Sequence, residues 1–192
     1  MSPRTAQKNR TRKALVSAAR ELAARGEELT VASVADEAEI SRATAYRYFS
    51  DAVALASDVT LDLELKPTEE LLKGVEETRA RVHSVAQYYL RFSFEHEATF
   101  RQFLSQTMSQ WAKDGRTELR GARRVTAFTT ALEQVRAKIS DDDFDALVNR
   151  LSMVTGIEQM IATADVLRLN SQRAEEMQRG IVDALLDRYL PR

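Results

Sequence analysis

The chain has 192 residues, no cysteine and a formal net charge of −1, with 44% hydrophobic and 30% charged residues. This composition is that of an ordinary globular protein with enough apolar residues to bury a core. The missing cysteines exclude disulfides and thiolate metal sites. No apolar run reaches the roughly 20 residues that span a bilayer, and the basic N-terminus lacks a signal-peptide core. We therefore expect a cytoplasmic protein with no membrane partner.

Basic residues are concentrated at the start of the chain. Residues 1–25 hold seven Lys or Arg and one Asp or Glu, although the whole chain is slightly acidic. After a flexible arm at residues 1–6, apolar residues at helical spacing predict a helix over residues 7–25 that stops at Gly26. A basic leading segment on an acidic remainder is typical of a DNA-binding head. An ordinary solvated basic terminus is the alternative.

The next stretch, residues 30–49, predicts two short helices around a tight turn. The first helix carries an apolar stripe at positions i, i+3, i+4 and i+7, beginning at Val31. Thr30 and Ser41 stand where a hydroxyl can cap the free amide groups of a first helical turn.

The second of these helices has an unusual outer surface. Only Ala45 and Phe49 share its inward arc. The outward residues are Arg42, Ala43, Thr44, Tyr46, Arg47 and Tyr48. Arginine can bind guanine through two hydrogen bonds, and tyrosine offers a ring and a hydroxyl group. Because a helix–turn–helix places its second helix in the major groove, this pattern predicts a surface that reads double-stranded DNA.

The remainder of the chain is dominated by helical patterns, with no alternating strand pattern and no internal repeat. We predict helices over residues 50–66, 68–97, 98–111, 116–138, 140–169 and 170–190. The predicted fold is all-α, with about nine helices.

Residues 10–55 resemble the N-terminal domain of the TetR (tetracycline-repressor-like) family of bacterial regulators. The resemblance rests on the motifs AAREL, TVASVA and ISRATAYRYF and on Gly26 between the first two. It implies a three-helix, helix–turn–helix DNA-binding domain at residues 1–50. A larger helical domain for effector binding and dimerisation is implied at residues 51–192.

The resemblance also assigns roles to individual residues. It implies major-groove contacts for Arg42, Ala43, Thr44, Tyr46 and Arg47, and positions near phosphates for Thr30, Ser41 and Tyr48. Three residues depart from the family pattern. Glu39 occupies a turn position that is usually glycine, Ala45 replaces a leucine, and Ala52 replaces a phosphate-binding lysine. The missing lysine predicts weaker or differently anchored DNA binding.

Aromatic residues cluster between residues 88 and 111, in the helices where the resemblance implies an effector pocket. We expect a small, largely apolar effector, because ligand pockets are mostly apolar with a few polar groups. The candidate ligand-binding residues are Tyr88, Tyr89, Phe92, His96, Phe103, Gln106, Trp111 and Phe128. Aromatic residues at helical spacing commonly form core, which is the alternative for each of them.

No metal site, cofactor or catalytic residue is predicted. The two histidines, His83 and His96, lack the Glu-x-x-His spacing of diiron bundles. The sequence also contains no glycine-rich phosphate loop. We therefore expect that the protein is not an enzyme.

Two apolar stripes near the C-terminus indicate a homodimer. The candidate interface residues are Phe144, Leu147, Leu151, Val154 and Ile161 on one helix, and Met177, Ile181 and Leu185 on the last. Either stripe could instead face the core of its own domain. A two-fold dimer would let two recognition helices read a palindromic site.

The sequence thus predicts a DNA-binding transcriptional regulator. The specific expectation is a repressor that a small-molecule effector releases from a palindromic operator. The alternative is a helical-bundle ligand-binding protein or enzyme with a vestigial DNA-binding head.

Overall fold

The structure, a computed structural model, describes residues 3–61, 63, 65–115 and 123–190. Every regular element within these ranges is a helix, which confirms the predicted all-α fold. Among the residues described, no helix is long and apolar enough to cross a bilayer.

The helices are numbered in chain order. The first four are α1 (Pro3–Ala24), α2 (Val31–Glu37), α3 (Arg42–Tyr48) and α4 (Ala52–Leu61). The central four are α5 (Thr68–Leu71), α6 (Thr78–Glu95), α7 (Glu97–Asp114) and α8 (Arg123–Leu132). The last three are α9 (Asp141–Met153), α10 (Ile157–Ile161) and α11 (Ser171–Tyr189). A 3₁₀ segment (Glu133–Lys138) continues α8, and a π-helical segment (Ala162–Val166) continues α10.

The chain forms two compact units. The first contains α1 to α4 together with α7, and the second contains α5, α6 and the elements from α8 to α11. The first unit takes in more of the chain than the predicted head at residues 1–50, because α4 and α7 both pack on α1.

The core of the first unit determines how its short helices are oriented. Leu15 and Ala19 of α1, Ala35 of α2 and Leu55 of α4 are completely buried in it. Ala45 is the fully buried contribution of α3 to the same core. Since removal of apolar surface from water is the main driving force for packing, these contacts hold α3 with one face inward.

The second unit has its own core between α6, α8, α9 and α11. Val85, Phe128, Leu147, Val182 and Leu186 are completely buried there. These residues come from four helices, so the core holds together segments that are distant in the chain.

Ion pairs connect α6 with α11 at the edge of this core. Arg79 Nη1 and His83 Nε2 lie 3.0 Å and 2.8 Å from Asp183 Oδ1. One turn beyond the middle of α6, Arg91 Nη2 lies 2.7 Å from Glu175 Oε2. Hydrogen bonds from His83 and Arg79 hold the pKa of Asp183 below its ordinary value. Partly exposed pairs each contribute little free energy, but together they favour one register of the two helices.

The predicted single helix over residues 68–97 was wrong, because the chain turns between α5 and α6. Gly74 adopts a left-handed conformation there, with φ of +75°. The Glu77 side chain then caps α6 by accepting hydrogen bonds from the backbone N–H groups of Arg79 and Ala80. A turn and a new cap therefore interrupt the apolar periodicity that suggested one long helix.

The predicted helix over residues 140–169 was also wrong, since it breaks at Gly156. This residue has φ of +90° and ψ of −150°, a conformation essentially restricted to glycine. The Arg124 side chain occupies the adjacent space, where it donates a hydrogen bond to the Thr155 carbonyl and lies 2.8 Å from Glu158 Oε2. A Cβ atom at position 156 would lie 2.7 Å from Arg124 Nη1.

Other helix ends agree more closely with the sequence. Gly26 follows α1 with φ of +73°, as its predicted stop. Ser140 and Asn170 cap α9 and α11 by accepting hydrogen bonds from backbone N–H groups of the first turns. The predicted arm was wrong for residues 3–6, because α1 begins at Pro3, where a proline is tolerated in a first turn. Residues 1–2 lie outside the described residues.

Two further predictions differ in length. The helix expected over residues 50–66 ends at Leu61 in the structure. Of the helix expected over residues 116–138, residues 116–122 lie outside the described residues, and the α-helical part ends at Leu132 before the 3₁₀ segment.

Candidate nucleic-acid interface

The start of α2 is held by a reciprocal cap. Thr30 Oγ1 accepts a hydrogen bond of 2.9 Å from the Ser33 backbone N–H, and Ser33 Oγ accepts one of 3.0 Å from the Thr30 N–H. Two amide groups that lack a partner in the helix are thereby satisfied. The half-buried Thr30 hydroxyl thus caps α2. A contact between Thr30 and a phosphate would use the hydroxyl that already makes this cap.

The turn between α2 and α3 closes α2 in a Schellman motif. The Ile40 N–H donates to the Ala35 carbonyl over 2.9 Å, and the Glu39 N–H donates to the Asp36 carbonyl over 3.2 Å. This arrangement requires a left-handed residue at the second position after the helix, which is usually glycine. Here Glu39 takes that conformation with φ of +53°, at the turn position singled out in the sequence.

Ser41 begins α3 as predicted. Its Oγ accepts a hydrogen bond of 3.3 Å from the Thr44 N–H and donates one of 2.9 Å to Thr44 Oγ1. Ala45 and Phe49 face inward and are 0% and 4% exposed. The cap and the two buried residues together fix which side of α3 faces solvent.

The solvent-facing side of α3 carries the recognition surface, which we define as Arg42, Ala43, Thr44, Tyr46, Arg47 and Tyr48. Thr44 and Tyr48 are half-buried and the other four are exposed, Tyr46 by 52%. The Arg47 guanidinium carbon lies 5.9 Å from the centre of the Tyr48 ring, within range of a cation–π interaction. Two arginines and Tyr46 thus point outward, as the helical spacing predicts, whereas Tyr48 packs partly against the core of the first unit. Their contact with DNA stays a prediction.

Arg42 differs from Arg47 because it has an acidic partner. Its Nε and Nη2 atoms lie 3.2 Å and 2.6 Å from the two carboxylate oxygens of Asp36 on α2. This two-point hydrogen bond lowers the pKa of Asp36 and raises that of Arg42. Residue spacing within a single helix does not predict this partner for Arg42. An acidic residue six positions before an arginine across a tight turn is the signal that could have identified it.

The first turns of α1 supply further positive charge. Lys8, Arg10 and Lys13 are exposed. Arg12 is partly neutralised, since its Nη2 atom lies 2.6 Å from Asp58 Oδ1 of α4. The exposed basic residues give this helix a positive surface of the kind that attracts phosphates.

Two departures from the family pattern have structural consequences. Ala45 fills the core of the first unit without exposure, but as a short side chain it buries less apolar area than a leucine. Ala52 is the first residue of α4 and is half-buried. It contributes no charge at that helix start.

The candidate ligand residues fall in both units. In the first unit, Phe103 packs against the core, and the Gln106 side-chain amide donates a hydrogen bond of 3.2 Å to the Leu29 carbonyl. Gln102 makes a similar bond of 3.0 Å to the Glu27 carbonyl. These two glutamines of α7 therefore hold the loop between α1 and α2, a role the sequence analysis missed. Trp111 is 59% exposed.

The other candidate ligand residues belong to the second unit. Tyr88, Phe92 and His96 form a row of ring contacts along α6, with ring centres 5.7 Å apart for the first pair and 4.4 Å for the second. Tyr89 packs edge-on against Tyr88 at 5.6 Å. Phe128 is completely buried in the core of this unit, which fits the alternative that it is a core residue.

The candidate dimer residues do not form one exposed surface, and the prediction needs correction. Phe144, Leu147 and Leu151 are at most 1% exposed, because α9 packs this stripe against the core of its own unit. They are therefore not available to a second subunit. Val154, Ile161 and Leu185 are half-buried. Met177 and Ile181 are 40% and 37% exposed on α11.

The histidines do not form a metal site in the described part of the chain, where no cluster of three or more His, Cys, Asp or Glu is placed to hold an ion. His83 bonds to Asp183, and His96 packs against Phe92. Both rings thus have partners of their own.

Comparisons with known proteins bear on the same region. Residues 14–59, which contain the whole helix–turn–helix, match the family model described as bacterial regulatory proteins, tetR family. The fold is similar to the crystal structure of a TetR transcriptional regulator from Rhodococcus sp. RHA1. The TM-score is 0.56 at 21% identity, covering 94% of this chain and 97% of that one. No curated protein matches the chain significantly.

The match over residues 14–59 confirms the resemblance seen in the sequence, and the structure gives these residues the capped two-helix geometry that the motif requires. The likeness to the Rhodococcus structure concerns the fold alone. Residues 14–59 thus form a helix–turn–helix domain of the kind found in the tetR family of bacterial regulatory proteins, and this kind of domain binds DNA.

Proposed function

We propose that the protein is a repressor that binds a palindromic operator with α3 in the major groove. The observation that carries this proposal is the recognition surface, whose exposed arginines and tyrosine are held outward by the Ser41 cap and the buried Ala45. Exposed basic residues of α1 would add contacts with phosphates that do not depend on sequence.

The test is selection of preferred sites from a random duplex library, followed by affinity measurements with Arg47→Ala and Tyr46→Ala. Each substitution is expected to weaken binding to the selected site by roughly 1–3 kcal/mol if the residue contacts a base. Lys113→Ala, at an exposed position of α7, is the control and should bind like wild type. Variants of α3 that bind as tightly and as selectively as wild type would remove these residues from the proposal.

We also propose a homodimer through the exposed part of α11. Met177 and Ile181 remain solvent-accessible there, and Met153, Val166 and Leu167 are exposed by 49–75% on the preceding segments. Contiguous exposed apolar patches are typical of interaction surfaces, and we propose that these side chains contribute to one. A two-fold pair would present two copies of α3 to successive half-sites.

Light scattering at micromolar concentration tests the dimer. Wild type is expected to have twice the chain mass, and Met177→Glu/Ile181→Glu is expected to be monomeric, because two carboxylates would be buried without partners. Met108→Glu, at a methionine of α7 that is 64% exposed, should remain dimeric. A monomeric wild type would contradict the proposal.

For the effector, we propose a small, largely apolar molecule that binds the second unit near Tyr88, Phe92 and His96. It would act by binding more tightly to a conformation whose recognition helices do not fit the operator. Thermal-shift screening of apolar compounds tests this, since a ligand of the folded state raises the Tm. A compound that raises the Tm without weakening operator binding would favour the alternative of a ligand-binding protein with a vestigial head.

A further inference from the structure

We propose that Asp36 is a positioning residue that orients Arg42 to read one base pair in each half-site. This inference rests on the proposed reading of DNA by the recognition surface, and it adds a specificity role for a residue of α2. Asp36 itself would not touch the base.

The geometry is that of a two-point clamp across the turn. Asp36 lies in the last turn of α2, and Arg42 is the first residue of α3. The two carboxylate oxygens accept hydrogen bonds from Nε at 3.2 Å and from Nη2 at 2.6 Å. Because a guanidinium is planar and its fork matches a carboxylate, two such bonds fix its plane as well as its position.

The clamp leaves the far edge of the guanidinium available. Arginine has five N–H donors, and the carboxylate accepts from Nε and from one of the two on Nη2. Both donors of Nη1 and the second donor of Nη2 remain. Two parallel donors on that edge match the O6 and N7 acceptors of guanine in the major groove. A guanine is therefore the base that a clamped Arg42 would read.

Stability does not account for this pair. The Arg42 and Asp36 side chains are 63% and 58% exposed, and pairs in that setting contribute little to folding. Asp36 also lies near the negative end of the α2 dipole, beside Glu37, where an acidic residue is unfavourable. An acid on a surface that approaches phosphates would in addition repel DNA. A positioning role explains why a carboxylate at this site is useful, since a side chain ordered before binding loses less entropy on binding.

The experiment measures affinity for the preferred duplex and for each of its single-base variants, using wild type, Asp36→Ala, Asp36→Asn and Arg42→Ala. Asp36→Ala is expected to lose about tenfold discrimination at one G·C pair per half-site and to leave the other positions unchanged. Arg42→Ala should lose discrimination at the same pair. The double variant should lose no more than Arg42→Ala alone, because the two residues act as one unit.

The matched control is Glu37→Gln. Glu37 is the next residue of α2, and it pairs at 2.9 Å with Arg25, the first residue after α1, rather than with a residue of α3. The control removes the same charge and an equivalent ion pair, and its base preferences are expected to equal those of wild type. Asp36→Asn, which keeps the size of the side chain, should show the same selective loss in a smaller degree.

Two results would overturn the positioning role. Tighter binding of Asp36→Ala to every duplex, with unchanged base preferences, would make Asp36 only a repulsive charge. Unchanged affinity and preferences in Asp36→Ala or Arg42→Ala would also exclude the clamp. If wild type prefers one DNA sequence and either of these results is obtained, only the positioning role of Asp36 is excluded. A wild type that prefers no DNA sequence would exclude the proposed function itself.

Discussion

Glu39 holds the left-handed position of the turn that joins α2 and α3, with φ of +53°. An L-residue with a side chain pays roughly 1–2 kcal/mol for this conformation, whereas glycine adopts it freely. The Schellman hydrogen bonds of Ile40 and Glu39 to the end of α2 hold the turn in this form despite the cost. The recognition helix is therefore positioned by a turn that carries backbone strain.

Glu39→Gly is expected to stabilise the protein by about 1 kcal/mol, because relief of the strain exceeds the added entropy of the unfolded chain. Urea unfolding monitored by circular dichroism measures the change. Glu39→Gln is the control for charge and should leave the free energy of unfolding nearly unchanged. A Glu39→Gly protein that is less stable than wild type would show that the side chain, rather than the backbone, determines the energy of this turn.

The recognition surface shows what residue patterns can predict. The inward positions of Ala45 and Phe49 and the caps at Thr30 and Ser41 followed from helical spacing and hydroxyl chemistry, and the structure confirms them. The bond between Asp36 and Arg42 did not follow, because it depends on the angle between two helices rather than on spacing within one.

At the scale of elements, Gly156 separates α9 from α10. Helical periodicity continues on both sides of it, so the apolar pattern alone predicts one helix. The break depends on φ of +90° at Gly156 and on the approach of Arg124 from α8, and neither is visible in local sequence. The same limit applies to the stripe of Phe144, Leu147 and Leu151, since periodicity identifies an apolar face but not its partner.

Gly156→Ala is expected to destabilise the protein by roughly 1–3 kcal/mol, because its conformation is forbidden to alanine and its Cβ atom would meet Arg124 Nη1 at 2.7 Å. Thermal unfolding measures the effect. The control is Gly180→Ala in α11, where no atom lies within 4 Å of an added Cβ and where alanine should stabilise the helix by about 0.5–1 kcal/mol. Equal effects of the two substitutions would contradict the account of the break.

At the scale of the whole molecule, three carboxyl groups link stability to pH in addition to Asp36, whose pKa is lowered by its hydrogen bond with Arg42. Asp51 accepts a hydrogen bond from the Ala54 N–H, Asp183 accepts one from His83, and Glu175 accepts one from Arg91. Each interaction lowers the pKa of the carboxyl group in the folded state, from ordinary values of 3.8 for the aspartates and 4.5 for Glu175.

The free energy of unfolding is therefore expected to fall as the pH drops through and below these ordinary values. The unfolded chain binds protons there while the folded carboxyl groups remain ionised, so acid favours unfolding. Asp183→Asn should be less stable than wild type at neutral pH and should lose less stability on acidification. Asp145→Asn, at an exposed position of α9, is the control. A wild-type urea midpoint that stays the same between pH 6 and pH 3 would contradict this dependence of stability on pH.

The charge distribution also belongs to the whole molecule. A net charge of −1 hides a basic first helix, so overall charge is a poor guide to DNA binding here. Local charge gives attraction to phosphates, and the recognition surface is expected to give sequence preference. These two contributions respond differently to salt and to base sequence.

The most direct test of the central claim is fluorescence anisotropy with the selected duplex and a scrambled duplex over a range of salt concentrations. We expect affinity for both to fall as salt increases, and the selected duplex to bind at least about 10³-fold more tightly near physiological salt. Substitution of Arg47 should reduce this ratio more than it changes the salt dependence. Equal affinity for the two duplexes at every salt concentration would contradict the claim that α3 reads DNA sequence.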